Sequence, residues 1–350
     1  MSPLRVALVA SARFPLRQPF PGGLEAHTWQ LATQLRERGH HVTVFGGRGS
    51  DPALGVRELP GLPTLSAHAR ADVSMPAEWF LAEHHAYLSL MLDLARTGRD
   101  YDVVHNNSLH YLPVAMADTL PVRLLTTLHT PPTPWLESAV ALAPGTSSFA
   151  AVSRATARQW RGTVEAPVVP NGVDTAFWTP GPGGGVPVWS GRIVPEKGPV
   201  EAILAARRAG TGLRLAGPTP DARFFREQVA PLLGDGIEHV GHLDHTDLVR
   251  LVGSASVAVI SPCWDEPYGL VVAEALACGT PVAGFDRGAL PELLDDTCGV
   301  LARPGDVDGL AAAITAAARL DRAAARRRAV GTCSVETMVD GYERRYRELA

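Results

Sequence analysis

Short apolar runs alternate with helix-length segments along most of the chain, and the alternation starts afresh once. No other feature constrains the fold as much. Strand, loop, helix and strand repeated in that order build parallel sheets covered by helices. In the first half, 5–10 reads as a strand, 24–38 as a helix stopped at Gly39, and 42–45 as the next strand. Residues 46–75 read as irregular. An amphipathic helix is expected over 77–96, with Trp79, Phe80, Tyr87, Leu88 and Leu92 on or near one face. Strands follow at 101–105, 122–128 and 148–152, then a helix at 154–161. The turn Asn171-Gly-Val-Asp174 and the Gly/Pro-rich run 180–187 read as a linker. Beyond it, strands at 186–190, 213–216, 237–240 and 257–260 alternate with helices at 200–208, 224–233 and 247–253. Short strands at 281–283 and 299–301 lead to a helix at 307–318. The chain ends in a helix at 335–349 with Met338, Tyr342 and Tyr346 at four-residue spacing. The expectation is an α/β protein of two doubly wound domains, 1–170 and 171–333, with 334–350 as a terminal helix.

Composition removes several functions. The 350 residues carry a net charge of −4, which gives no general basis for nucleic-acid binding. No charge-free apolar run is long enough to span a bilayer, and Met1-Ser-Pro-Leu-Arg leads straight toward a strand, so a cytoplasmic location is expected. The four cysteines have no C-x-x-C spacing and read as reduced, mostly buried small hydrophobes rather than zinc ligands. No G-x-G-x-x-G occurs, which removes the main support for a nicotinamide or flavin cofactor. Asp306 and Asp308 resemble a metal-holding pair, but they open an alanine-rich helix and read as N-cap and first-turn acids. No metal is expected. The arginines over 322–328 read as a solvated helix face.

Candidate chemistry lies in the loops that follow strands, where parallel sheets bind ligands. Between the 257–260 strand and Gly279, the chain passes Glu266 and enters a helix at Gly269. The first amides of such a helix are unpaired and form an anion site. Glu274 sits inside it among aliphatic residues, and an unsatisfied buried carboxylate costs about several kcal/mol, so it wants hydroxyl donors. Lys197 is the only lysine among 32 basic residues, and it shares a strand-end loop with Arg192. A compact ammonium is not equivalent to a guanidinium. Two cations there can hold a diphosphate and stabilise it as a leaving group. Gly22-Gly23 opens the first helix, where both a structural turn and a phosphate loop fit. His129 ends an apolar strand and can bind a sugar hydroxyl or shuttle a proton; His105 is a weaker candidate of the same type.

Together, Gly22-Gly23, His129, Asn171-Gly-Val-Asp174, Gly191-Arg192, Lys197-Gly198 and Glu266-Pro-Tyr-Gly-Leu-Val-Val-Ala-Glu-Ala-Leu-Ala-Cys-Gly-Thr-Pro281 resemble the retaining family 4 glycosyltransferases. The resemblance implies a GT-B fold: two Rossmann-like domains facing across a cleft, N-terminal for acceptor and C-terminal for donor, with the terminal helix crossing back. It implies hexosyl transfer from a UDP- or GDP-sugar to an acceptor hydroxyl, with the nucleotide-sugar as co-substrate and no metal or other cofactor. Arg192 and Lys197 would bind the diphosphate, helped by amides of Gly22-Gly23 and of Gly269, Leu270 and Val271 beside Tyr268. Glu274 would take ribose hydroxyls, Glu266 the transferred sugar, and His129 would line the reaction centre. Leu243, in the loop Gly241-His242-Leu243, would read the base. Catalysis would depend on closure. The acceptor, whether small molecule, glycan or lipid-linked, is left open, as are peripheral membrane contact and the choice of monomer or homodimer. A nucleotide-sugar epimerase or hydrolase, or a non-catalytic nucleotide-sugar binder, fits the same architecture.

Overall fold

The computed structural model describes residues 2–143, 145 and 147–350, which divide into two compact units. One comprises 2–152, 157–169 and 339–350, and the other 153–156 and 170–338.

The first unit is built on β1 (Arg5–Val9), β2 (His41–Gly46), β3 (Arg57–Glu58), β4 (Val103–Asn106), β5 (Leu124–Leu128) and β6 (Ser147–Ala151). They form one parallel sheet in the order β3-β2-β1-β4-β5-β6. Its longer helices are α1 (Gly23–Glu37), α2 (Glu78–Thr97) and α3 (Pro134–Leu142). Strands β1, β4 and β5 are buried along nearly their whole length, so they show no in-out alternation, and the polar residues toward the carboxyl ends of β4 and β5 are buried with the rest. β3 falls in the stretch read from sequence as irregular. Its two residues pair with Phe45 and Gly46, a register no local pattern announces.

The amphipathic helix forms, but the stripe it buries is Ala86, Tyr87, Leu90, Met91 and Leu94. Trp79 and Leu92, expected on or near that face, are 60% and 49% exposed. The burying face begins two turns into α2, where the helix joins the core shared with β1, β2 and β4. Helix α3 has no counterpart in the sequence reading. It starts at Pro134, whose missing N–H costs nothing at that position.

The second unit repeats the plan with β7 (Val188–Ser190), β8 (Leu213–Ala216), β9 (Ile237–Gly241), β10 (Ala258–Ile260), β11 (Val282–Phe285) and β12 (Gly299–Ala302). Its parallel order is β12-β11-β10-β7-β8-β9. Numbered within each unit, the two orders are the same. With α4 (Arg154–Trp160) shared by both groupings of residues, the helices here are α5 (Pro199–Arg208), α6 (His245–Ser254), α7 (Leu270–Ala277), α8 (Val307–Ala317), α9 (Arg322–Thr332) and α10 (Val335–Leu349). The segment 224–233, expected as one helix, is a succession of a short α-turn, a π-turn and a 3-10 turn that Pro231 interrupts. The core of this unit gathers Trp189, Ile203, Leu215, Val259, Phe285 and Ile314. Each such side chain contributes about 1.5–3 kcal/mol on burial.

Three of the four arginines of α9 turn inward. Arg322 donates to the carbonyls of Gly253 (2.8 Å), Ala255 (3.0 Å) and Cys278 (3.1 Å). Arg326 donates to those of Thr175 (2.6 Å), Trp178 (2.6 Å) and Ala277 (2.7 Å), and Arg328 to those of Glu292 and Leu293. The C-terminus of α7 and the turns around it leave carbonyls without helical partners. Guanidinium forks satisfy several at once, and their aliphatic stems add packing. Arg327, paired with Asp321, keeps the surface role.

Asp306 caps α8 by accepting from the Gly309 amide at 2.8 Å, and Asp308 pairs with Arg208. The four cysteines are free thiols; Cys278, Cys298 and Cys333 are buried and Cys263 is exposed. Helix α10 begins in the second unit, and its residues from Val339 onward belong to the first. There Tyr342 and Tyr346 are fully buried. The Tyr346 hydroxyl meets His105 Nδ1 at 2.7 Å, and the Tyr342 hydroxyl meets Thr127 Oγ1 at 3.1 Å. The terminal helix thus crosses back to the N-terminal domain, as expected.

Candidate active site

In the second unit the carboxyl ends of β7 and β10 carry the two chemically loaded loops. The β7 loop closes on Gly198, whose φ of 65° is left-handed; a Cβ there would lie 1.8 Å from the Ser261 carbonyl. Only glycine permits that approach. Ser261 donates to the Gly198 carbonyl at 2.6 Å, and the Cys263 amide donates to the Glu196 carbonyl at 2.9 Å. The two loops are therefore stitched together through backbone, and side chains at residues 197 and 266 are held side by side.

Lys197 Nζ lies 2.5 Å from Glu266 Oε2, with both side chains largely buried. Trp264 Nε1 donates to the same carboxylate oxygen at 3.1 Å, and its ring lies 5.3 Å below the ammonium. A cation over an aromatic face gains further attraction when partly desolvated. Trp264 was not singled out from sequence, although its indole N–H two residues before an acid was the available signal. Gly288 closes the arrangement from behind: a Cβ at this position would lie 2.4 Å from the Glu266 amide and carbonyl. Arg192 is more open, 3.6 Å from Glu196 on the surface of the same loop.

Following Glu266, Gly269 occupies the N-cap of α7 in a left-handed conformation, with no side chain capping the helix. The amides that open α7, at Leu270 and Val271, are half-buried residues at the loop surface. Glu274 lies one turn further in. Its carboxyl is pushed up to about 7 by desolvation alone, and it makes no side-chain hydrogen bond or ion pair among the described residues. That is the state of an acid waiting for donors. Tyr268 differs from this group. Its ring is buried with the hydroxyl against the Cys333 thiol, so only its backbone borders the loop. Leu243 sits apart, half-buried in the turn after the edge strand β9 that Asp244 closes by capping α6.

In the first unit, the carboxyl ends of β1, β4 and β5 converge. Gly22 is the extended N-cap of α1 and Gly23 its first residue. One turn on, Glu25 and His27 are buried. His129 follows β5, with Nε2 hydrogen-bonded to Asn107 Oδ1 at 2.9 Å and its ring edge-on to His27 at 4.8 Å. Burial and the neighbouring His27 and His105 hold its pKa well below the usual range, so the ring is neutral at neutral pH. His27 is likewise pushed down to about 4, mainly by burial. His105 is sealed between Tyr346 and Thr127, 2.8 Å from the latter, and serves the core rather than a ligand. Glu25, His27 and Asn107 were not singled out from sequence. Nothing local in the chain announces that residues from three loops meet.

The structure therefore assembles two separate groups, one on each unit. Lys197, Glu266, Gly269, Leu270, Val271 and Glu274 form a charged group, with Arg192 at its edge and Leu243 apart. Gly22 and Gly23 open α1 on the first unit, and His129 meets that helix through His27, with the carboxyl of Glu25 buried one turn from Gly22.

Two family models match the chain: Glycosyltransferase Family 4 over residues 21–177, and Glycosyl transferases group 1 over residues 185–331. A glycogen synthase of Mycobacterium tuberculosis is 31% identical, with 88% of this chain and 85% of that one covered. Among solved structures, sucrose-phosphate synthase from Thermosynechococcus elongatus superposes with a TM-score of 0.77 at 23% identity, covering 99% of both chains. Anabaena HepE in complex with UDP and glucose superposes with a TM-score of 0.75 at 19% identity, covering 97% of this chain and 98% of that one. These folds have the two-sheet GT-B plan found here, and the sequence likeness extends across both units. The chain is a glycosyltransferase and belongs to family 4 of the GT-B fold.

Proposed function

We propose that this enzyme moves a hexosyl group from a nucleoside-diphosphate sugar, with UDP- and GDP-sugars the leading donors, to an acceptor hydroxyl with retention of anomeric configuration. The observation that carries this reading is the Lys197–Glu266 pair at 2.5 Å, seated beside the open amide end of α7. A fixed ammonium and unpaired helix amides suit a diphosphate, and a carboxylate held by that ammonium suits the hydroxyls of the sugar attached to it. Arg192 joins Lys197 in binding the diphosphate. Glu274 accepts from ribose hydroxyls, which would supply the hydrogen bonds its burial calls for. Backbone of Tyr268 and Gly269 borders the phosphates, and the turn carrying Leu243 reads the base edge. On the first unit, amides of Gly22-Gly23 offer a further phosphate contact, and neutral His129 holds a sugar hydroxyl rather than shuttling a proton.

In the transfer, the bond from the anomeric carbon to the donor phosphate oxygen breaks as the acceptor oxygen bonds to the same face. The departing phosphate oxygen takes the acceptor's proton. Charge accumulates on the diphosphate, and Lys197 with Arg192 neutralises it in place of a metal ion. Support for UDP as the nucleotide comes from HepE, whose solved complexes contain UDP and UDP-glucose. None of the described helices is long and apolar enough to cross a membrane.

The test is a thermal-shift screen over UDP-, GDP-, ADP- and TDP-sugars, followed by transfer assays with the stabilising donor and NMR of the product's anomeric proton. One donor should stabilise the chain, transfer should persist in EDTA, and the product anomer should match the donor. An inverted anomer, or a changed sugar released without acceptor, would replace this reading with an inverting transferase or an epimerase.

A further inference from the structure

Four rings stand in a column on the first unit. Tyr87 is buried, its hydroxyl donating to the Ala10 carbonyl at 3.0 Å and accepting from the Ala12 amide at 2.8 Å. His110 stacks on Tyr87 with centroids 4.5 Å apart, Tyr111 on His110 at 4.7 Å, and Trp135 on Tyr111 at 5.4 Å. Each step is tilted by only 23°. Phe80 leans against Trp135 at 5.7 Å, and the Tyr111 hydroxyl is fixed by His84 Nδ1 at 3.1 Å. The column starts on the backbone just past β1 and ends in solvent, where Trp135 is 59% exposed.

An open tryptophan on such a support is unlike a scattered surface hydrophobe. Tyr111 backs one face, and Pro134 with the first turn of α3 holds its backbone. The indole therefore offers a flat, rigid face that loses little freedom on binding. That face carries negative potential, which complements the polarised C–H groups of a pyranose ring. Trp135 stands in the first turn of α3, six residues after His129 at the carboxyl end of β5. Arg13, which lies over Trp79, is paired with Glu83 at 2.7 Å and so is not a free cation for an anionic bilayer.

We propose that Trp135, backed by Tyr111 and flanked by Phe80, is the platform on which the acceptor stacks, and that the acceptor presents a pyranose ring to it. This deepens the transferase reading and rests on it. Neutral rungs suit the role: burial and the neighbouring His84 push His110 down to about 4, so the column carries no charge at neutral pH.

The test uses the full 15N-labelled chain with the nucleotide selected by the stability screen. The Trp135 indole resonance is assigned by W135F, then maltotriose, methyl α-mannopyranoside and N-acetylglucosamine are titrated to about 20 mM, beyond the Kd expected of one stacked ring. At least one pyranoside should move that resonance saturably. With that sugar as acceptor, W135A should raise acceptor KM about tenfold or more, and W135F should recover most of the loss. An indole indifferent to every pyranoside overturns the platform. Binding to phosphatidylglycerol vesicles that W135A abolishes also overturns it, in favour of a lipid surface. Donor binding and slow donor hydrolysis by the unsubstituted chain report on the transferase reading separately. If those are present while the indole stays still, only the platform fails.

Discussion

The two units share one strand order and dress the carboxyl ends of their sheets in opposite ways. On the second, the loops after β7 and β10 carry Arg192, Glu196, Lys197 and Glu266, paired at short range, and helix α7 carries Glu274. On the first, helix α1 after β1 carries Glu25 and His27, and the loops after β4 and β5 carry Asn107 and His129, where burial holds both imidazoles neutral. A donor diphosphate brings charge and needs countercharge where its leaving group departs. An acceptor hydroxyl brings none, and neutral imidazoles spare it the cost of facing a buried cation. On the proposed reading, the same scaffold would serve two partners through the different side chains set at the ends of its two sheets.

The sharpest way to break this contrast is Lys197→Ala. If the charged unit stabilises the leaving group, kcat should fall roughly 100- to 1,000-fold, the range for losing one fixed electrostatic contact to a developing charge. Lys197→Arg should recover little, because a planar fork cannot replace the ammonium between Glu266 and the Trp264 ring. Removing the lysine also leaves Glu266 without its cation, so the melting temperature must be measured alongside. The double variant Lys197→Ala/Glu266→Gln should regain stability while remaining inactive. A double variant with normal turnover would place the chemistry elsewhere.

Glu274 comes next in size. Its folded carboxyl titrates at about 7 against an ordinary 4.5, so the folded chain keeps a proton that the unfolded chain has lost. Stability from this group is fully present below pH 4.5 and is lost as pH rises to about 7. Glu274→Gln should flatten that slope and raise the melting temperature at pH 8. It should also raise donor KM about tenfold, since an amide is a weaker acceptor for hydroxyls than a carboxylate. In the unsubstituted enzyme, donor affinity should climb with pH up to about 7, because binding requires the ionised form. Calorimetry in two buffers would count the proton released. Zero release at pH 6 would deny Glu274 its place at the ribose.

How much of this was legible in the chain depended on how local each signal was. Both sheets were readable because parallel strands buried on both faces leave apolar runs without alternation, as in residues 6–9 and Ala258–Ile260. The loops holding Lys197 and Glu266 were readable because strand, loop and helix N-terminus adjoin in sequence. Their contact was not: it depends on Gly198 approaching Ser261 across 63 residues. Two arginines illustrate the other failure. Arg322 and Arg326 look like a solvated basic run, and only the fold reveals the free carbonyls that draw them inward. The column ending at Trp135 was hidden for the same reason, since its rungs come from three segments.

The smallest expected effect tests the neutral unit. His129 donates or accepts one hydrogen bond in the proposed site, and a neutral bond of that kind is worth about 0.5–1.5 kcal/mol. His129→Ala should therefore lower kcat/KM by about threefold to tenfold, and His129→Asn should restore part of it by supplying a polar group in the same place. Because burial keeps the ring neutral, the ratio of unsubstituted to His129→Ala activity should be constant from pH 6 to 8. A proton-shuttling imidazole would give a ratio that changes with pH. A protonated ring between His27 and His105 would also demand that the neighbouring imidazoles accommodate charge, and their burial opposes it. A pH-dependent ratio, measured with Glu274→Gln as background to remove the carboxyl's own titration, would show that the first unit does charge chemistry after all and would erase the division of labour between the sheets.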